Sequence, residues 1–153
     1  MYFAKCINGD FLKENQVNAE HSDDLKLAIL TAQLCQDKLA ENVFIMGLKN
    51  IESAPTDYFV ICSCDSAPQV DSICDLITNT TSTYKLQKPH IEGRESLEWV
   101  LLDYFDVVVH IMLKEVRELY KLEKLWGDAE FYTVNDDADL LPLKFDEILR
   151  IFD

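Results

Sequence analysis

The sequence predicts an α/β fold in which helices pack on a five-stranded mixed sheet. Apolar runs rich in Val, Ile and Phe at residues 43–48, 58–62 and 107–113 are typical of buried strands. Segments beginning near residues 24 and 66 instead repeat apolar residues at helical spacing. A chain of 153 residues has room for one domain with a sizeable core.

The first helix is predicted over residues 24–40. Ser22 is suited to cap its start, with Asp23 and Asp24 in the first turn. Its apolar residues recur three or four apart: Leu25, Ala28, Ile29, Ala32, Cys35 and Leu39. The preceding residues, 1–21, form a predicted N-terminal arm, which either holds a small hairpin at Asn8-Gly9 or is flexible.

Two strands, at 43–48 and 58–62, flank a polar loop that contains Pro55. Ser66 then begins a second helix, and Gln69 is placed to reach back in a capping box. The helix has one apolar stripe, formed by Val70, Ile73, Cys74 and Ile77. This stripe predicts that one face of the helix packs on the sheet.

Three more strands are predicted, at 89–92, 99–104 and 107–113, and Gly93 ends the first of them. The connection from Asp103 to Asp106 is so short that the last two strands should form an antiparallel hairpin. Their nearly continuous apolar sequence predicts burial on both faces.

A third helix follows, with Val116, Leu119, Leu122 and Trp126 on one arc and Tyr120 at its edge. A basic arc on another side contains Lys114, Arg117, Lys121 and Lys124 and is interpreted as a solvated face. Glu123 falls within the apolar arc, so it must reach a hydrogen-bond donor or lie at an edge. Gly127 is expected to end the helix in a left-handed conformation.

The C-terminal part, residues 131–153, combines an acidic loop with a short amphipathic helix. Its apolar positions are Phe145, Ile148, Leu149 and Phe152. So short a helix must dock on something, either its own domain or a partner or second copy. The predicted organisation is thus an arm at 1–21, a central domain at 22–130 and this C-terminal part.

Composition narrows the function classes. With 28 acidic and 14 basic residues, the formal charge of −14 disfavours nucleic acid and favours either a solubility role or a basic protein partner. No apolar run is long enough to cross a membrane and no targeting segment is evident, so the expected location is cytoplasmic. The cysteines fit no zinc spacing and are expected to be reduced core thiols: Cys6, Cys35, Cys62, Cys64 and Cys74.

Catalytic patterns are weak throughout. The D-x-D at Asp137–Asp139 lies in the acidic loop, and Asp103 and Asp106 are best interpreted as solvated turn carboxylates. His110 lies in an apolar strand and is predicted to be a hydrogen-bonded core residue, whereas His21 and His90 lack companions. We expect no enzyme activity, no cofactor and no metal site.

One family shares an ordered series of motifs with this chain. They are TDYFVI at 56–61, Ser66 with Gln69-Val70, IEG at 91–93, EWVLLDY at 98–104, DVVVH at 106–110 and LWGD at 125–128. In this order the sequence resembles the ribosomal silencing factor family, also called Iojap-like, over roughly residues 25–129. The chain departs from the usual pattern at Cys64 and Phe105, where Gly is common, and at Pro68, where Arg is common.

The resemblance implies a nucleotidyltransferase-like topology without catalytic residues. It also implies binding to the large ribosomal subunit through its basic protein fourteen, which would sterically block association with the small subunit and repress translation. A large-subunit assembly factor, or an adaptor for another basic protein, is the alternative. Some relatives self-associate, so a homodimer stays open.

For the partner-binding surface, the resemblance indicates Trp99, Leu101, Tyr104 and Asp106, with Glu92 as an acidic neighbour. Aromatic anchors beside carboxylates suit a contact with a basic protein. The competing interpretation is that Trp99 and Leu101 belong to the core.

Overall fold

The computed structural model describes residues 21–152, which form five helices and seven strands. The helices are α1 (Asp23–Asp37), α2 (Ala67–Thr83), α3 (Lys114–Tyr120), α4 (Leu122–Leu125) and α5 (Phe145–Ile151). The strands are β1 (Glu41–Gly47), β2 (Tyr58–Cys64), β3 (His90–Glu92), β4 (Trp99–Asp103), β5 (Val107–Leu113), β6 (Glu130–Val134) and β7 (Leu140–Leu143). Within residues 21–152, none of the helices combines the length and apolar character needed to cross a bilayer.

All seven strands belong to one sheet, in the order β3-β4-β5-β2-β1-β6-β7. Only β2 and β5 pair in parallel, beginning at Tyr58 opposite Val107. The predicted mixed sheet is therefore confirmed, but the predicted count of five strands is wrong. The two strands that were not predicted, at residues 130–134 and 140–143, have no long apolar run. Strand β6 forms by antiparallel pairing with β1, in which Ile45 lies opposite Tyr132. The nucleotidyltransferase-like topology stays a prediction.

Helices α1 and α2 cover one face of the sheet, which we call the helix-covered face. Ser22 Oγ accepts a hydrogen bond from Leu25 N and Ser66 Oγ accepts one from Gln69 N, each at 3.3 Å, so both predicted caps are confirmed. The core beneath the helices includes the alternate residues of the central strands: Val60, Cys62, Val100, Leu102, Val109 and Ile111. All four members of the predicted α2 stripe are buried.

The opposite face carries a second core, built on Phe44, Met46, Phe59, Ile61, Met112 and Phe131. Leu122 of α4 and Ile148 of α5 complete this cluster, and Trp126 and Phe145 pack against it. The C-terminal helix therefore docks on its own domain. The domain boundaries proposed at residues 21 and 130 stay predictions, and the hairpin proposed at Asn8-Gly9 lies outside the described residues.

The predicted third helix is two helices, because Lys121 adopts a left-handed conformation with φ 50° and ψ 55°. The break changes the direction of the chain, so Leu119 does not share the apolar arc and is 74% exposed. Gly127 does not end the helix as predicted, since Gly93 is the one glycine with positive φ in residues 21–152. Helix α3 ends at Tyr120, one residue before the break.

The described cysteines agree with the thiol prediction. Cys35, Cys62, Cys64 and Cys74 are buried and free. Burial raises the pKa of Cys74 to about 12, so this thiol stays protonated at neutral pH. Cys6 lies outside the described residues.

Candidate functional site

At the β3-β4-β5 end of the sheet, the second face is only partly covered. We call this area the open face and define it by Glu92, Trp99, Leu101, Val108 and Tyr120. Trp99 and Leu101 project from β4 on this side and are partly exposed. The predicted burial of both faces is therefore wrong for β4, whose Val100 and Leu102 are fully buried on the other side.

Strand register brings Glu92 to the open face. Glu92 of β3 lies opposite Leu101, which lies opposite His110 of β5. The Glu92 side chain is 61% exposed and its Oε1 is 3.3 Å from His90 Nε2. Gly93 follows with φ 83°, and a side chain there would collide with the carbonyl oxygen of Trp99. A glycine is therefore required where the chain leaves β3 beside Trp99.

A buried histidine fixes the orientation of Trp99. Trp99 Nε1 donates a hydrogen bond to His110 Nδ1 at 3.1 Å, so the neutral imidazole carries its proton on Nε2. Burial, followed by the charge of Arg117, lowers the pKa of His110 to about 3. The ring centroids of Tyr120 and Trp99 lie 5.0 Å apart, and those of Phe59 and His110 lie 4.5 Å apart in an edge-on arrangement. The prediction of a hydrogen-bonded core histidine is confirmed.

Tyr104 lies apart from the open face. Its side chain is 4% exposed and belongs to the core beneath α1 and α2. The hydroxyl is 2.9 Å from Thr81 Oγ1 of α2, and burial raises the pKa of this phenol. Backbone bonding also holds Tyr104, because its N–H donates to Val107 O at 2.8 Å. Tyr104 therefore supports the hairpin from inside.

Asp106 lies at the end of the same hairpin, which is tied to the start of β2. Thr56 Oγ1 donates to Phe105 O at 2.8 Å, and Tyr58 N donates to Asp106 O at 3.0 Å. Asp103 Oδ1 accepts from Phe105 N at 2.8 Å, which agrees with its interpretation as a turn carboxylate. These bonds fix where the Asp106 carboxylate projects.

Two aspartates that sequence reasoning did not select join Asp106. Carboxylate oxygens of Asp24, Asp57 and Asp106 lie within 4.8 Å of one another. Burial raises the pKa of Asp24, and the charges of Asp106 and Asp57 raise it further. The three residues come from α1, the start of β2 and the hairpin, so no local sequence signal links them.

Beside the open face, a buried ion pair joins α3 to α4. Arg117 Nε donates to Glu123 Oε1 at 2.7 Å, which confirms that Glu123 must reach a donor. Arg117 Nη1 also donates to Asn42 O at 2.6 Å and to Ser63 Oγ at 3.0 Å. Arg117 is 1% exposed, so its assignment to a solvated basic arc was wrong.

The five residues indicated for partner binding are therefore not one patch. Glu92, Trp99 and Leu101 share the open face, Asp106 lies with the other two aspartates, and Tyr104 is buried. An aromatic ring, an aliphatic side chain and a nearby carboxylate on a rigid sheet are suited to protein recognition. Tyr120, which the sequence placed only at the edge of a helix stripe, extends this surface.

Comparison with known proteins assigns the family. The family profile described as "Ribosomal silencing factor during starvation" matches residues 19–147. A ribosomal silencing factor of Bacillus subtilis (strain 168) is 41% identical over 100 residues, which is 65% of this chain and 84% of that protein. A mouse protein named "Mitochondrial assembly of ribosomal large subunit protein 1" is 38% identical over 79 residues, 50% of this chain and 35% of its own length.

A solved structure has a similar fold. A crystal structure of a protein from Chromobacterium violaceum is 28% identical, with a TM-score of 0.65. The match covers 69% of this chain and 88% of that one. The family profile spans α1 through β7 and the open face, and on this basis the chain belongs to the ribosomal silencing factor family.

Proposed function

We propose that this protein binds the large ribosomal subunit in the cytoplasm through the open face and blocks association with the small subunit, thereby repressing translation. The open face carries the proposal. Its Trp99 and Leu101 are partly exposed, whereas the central strands β1 and β2 are mostly buried. Family membership supplies the biological setting, because the matching description names a silencing factor, a regulatory role.

The proposed partner is the basic protein fourteen of the large subunit. A formal charge of −14 favours association with a basic surface, and Glu92 places a carboxylate beside Leu101. Trp99 is held by His110 and by the Tyr120 ring, so little side-chain freedom is lost when a partner covers it. Tyr104 and Asp106 contribute differently: Tyr104 by supporting the hairpin, and Asp106 by charge.

Silencing needs no reaction centre. A rigid domain that occupies the joining surface of one subunit excludes the other by volume alone. The alternative is a role in large-subunit assembly, favoured by the name of the mouse relative. Both roles require binding to the large subunit, and they differ in whether the bound protein prevents subunit joining.

Cosedimentation with purified large subunits tests the proposal. Leu101→Asp places a charge at the centre of the open face and should weaken binding at least about tenfold. Leu141→Asp is the matched control, because Leu141 is 46% exposed on β7 at the opposite edge of the sheet. Urea unfolding would establish that both variants are folded.

Three outcomes separate the candidate functions. Wild-type affinity in folded Leu101→Asp would rule out the open face as the binding surface. Binding of the unsubstituted protein that leaves joining of added small subunits unaffected would favour assembly over silencing. Loss of joining in proportion to bound protein supports the silencing mechanism.

A further inference from the structure

A cavity lies between the start of α1 and the β4–β5 hairpin, next to buried Tyr104 and away from the open face. Its volume is about 240 Å³. The inner wall is mainly apolar and includes Leu27, Leu30, Leu86 and the ring of Tyr104. This space is below the size of a typical small-molecule site, and it suits a single long side chain.

Carboxylates stand on one side of this cavity. Asp24 and Asp106 line it, and an oxygen of Asp57 lies within 4.8 Å of an oxygen of each. Across residues 21–152, no ion pair joins a lysine or arginine to any of these three carboxylates. Lys26 belongs to the lining but forms no such pair. The charges of Asp106 and Asp57 therefore add to burial in raising the pKa of Asp24, and the charge of Lys49 opposes them only in part.

The positions of these groups are fixed before any ligand arrives. Ser22 caps α1 two residues before Asp24, and Thr56 anchors the hairpin through Phe105 O. Tyr58 N and Asp57 N both donate to Asp106 O, at 3.0 and 3.2 Å. A cation entering the cavity would meet an arrangement that needs little reorganisation.

An apolar wall followed by carboxylates matches the two parts of an arginine side chain. Its methylene stem can lie along Leu27 and Leu30, while its planar guanidinium donates to two carboxylates at once. Lysine offers a point charge and lacks this forked geometry. Together with the formal charge of −14, the complementarity favours a basic protein as the source of the side chain.

We propose that this cavity, lined by Leu27, Leu30, Tyr104, Asp24 and Asp106, receives an arginine side chain of the basic protein that binds the open face. The inference rests on the proposed function for the identity of the partner. It adds a second contact on the other side of the β4–β5 hairpin, so the partner would hold the hairpin from both sides.

The first test uses the isolated full chain and a small probe. N-acetyl-arginine amide is titrated by NMR, with N-acetyl-citrulline amide as a neutral probe of nearly the same shape. Saturable shifts at Leu27, Leu30 and Tyr104 are expected with the arginine probe alone and should be lost in Asp24→Asn. Asp128→Asn, an exposed site with the same change of charge, should retain them.

The second test measures affinity for purified large subunits. Asp24→Asn should weaken binding at least about tenfold relative to Asp128→Asn. Unchanged subunit affinity in folded Asp24→Asn would overturn the inference, as would equal binding of the two probes or saturable Mg²⁺ binding that displaces the arginine probe. The proposed function is judged separately by Leu101→Asp, so either idea can fail while the other stands.

Discussion

The two faces of the sheet are covered in different ways. On the helix-covered face, α1 and α2 lie over the central strands and leave residues such as Val60, Val100 and Val109 fully buried. On the opposite face, the short elements α4 and α5 cover only the β1-β2-β6 side, and Trp99 and Leu101 stay partly exposed. The helix-covered face thus provides the core on which the fold depends, while the incomplete cover of the other face leaves a surface for recognition.

Among substitutions on the partly covered face, breaking the buried Arg117–Glu123 ion pair should lower the free energy of unfolding the most. Arg117→Met leaves Glu123 buried without its donor, so the free energy of unfolding should fall by about 3–5 kcal/mol. Adding Glu123→Leu removes the uncompensated charge and should restore much of that loss. Urea unfolding of both variants measures the difference. If the single and double variants were equally stable, burying Glu123 without its partner would have no energetic cost, contrary to the prediction.

Paired truncations compare the cores directly. Ile77 on α2 and Ile148 on α5 are both fully buried, one beneath each face. Each change to Ala should lower the free energy of unfolding by about 2–4 kcal/mol, because each leaves a cavity. A loss near zero for Ile148→Ala alone, measured by the same denaturation, would show that α5 is a peripheral addition instead of part of the core.

A smaller, pH-dependent effect should come from His110. The folded state keeps this imidazole neutral down to about pH 3, whereas the unfolded chain binds a proton below its ordinary pKa of 6.5. This contribution to stability is therefore complete above pH 6.5 and is lost as the pH falls, by at most about 1.4 kcal/mol per pH unit. His110→Gln keeps an acceptor for Trp99 without titrating.

The measurement is the slope of unfolding free energy against pH between 6.5 and 5 in the two proteins. The unsubstituted protein should show the steeper decline on acidification. Parallel slopes would mean that His110 titrates normally in the folded state, and that the Trp99 contact does not depend on a neutral ring.

The same contrast explains what the sequence could reveal. Helices α1 and α2 were predictable because capping residues such as Ser22 and Ser66 and one apolar stripe are local signals. Helical periodicity did not predict burial where the burying contacts come from outside the helix. The buried guanidinium of Arg117 bonds to Asn42, Ser63 and Glu123, none of which lies in its own helix.

The candidate site was predictable in part for the same reason. Alternation along β4 places Trp99 and Leu101 on one side, and register with β3 adds Glu92. The same alternation places Tyr104 with Val100 and Leu102 on the other side, where it belongs to the core, so the strand pattern argued against Tyr104 as a surface residue. The association of Asp24 with Asp106 depends on the tertiary fold and has no counterpart in the linear sequence.

The parallel pairing of β2 with β5 has a consequence for folding during synthesis. β1 and β2 can pair once residue 64 has emerged, but the other edge of β2 must wait for residue 113. At usual rates of synthesis that interval lasts roughly 2–10 s. Throughout it, the edge that runs from Tyr58 to Cys64 lacks its partner and is exposed to unwanted strand pairing. Pairing of β2 on both edges therefore waits for the hairpin that also carries Trp99 and Leu101.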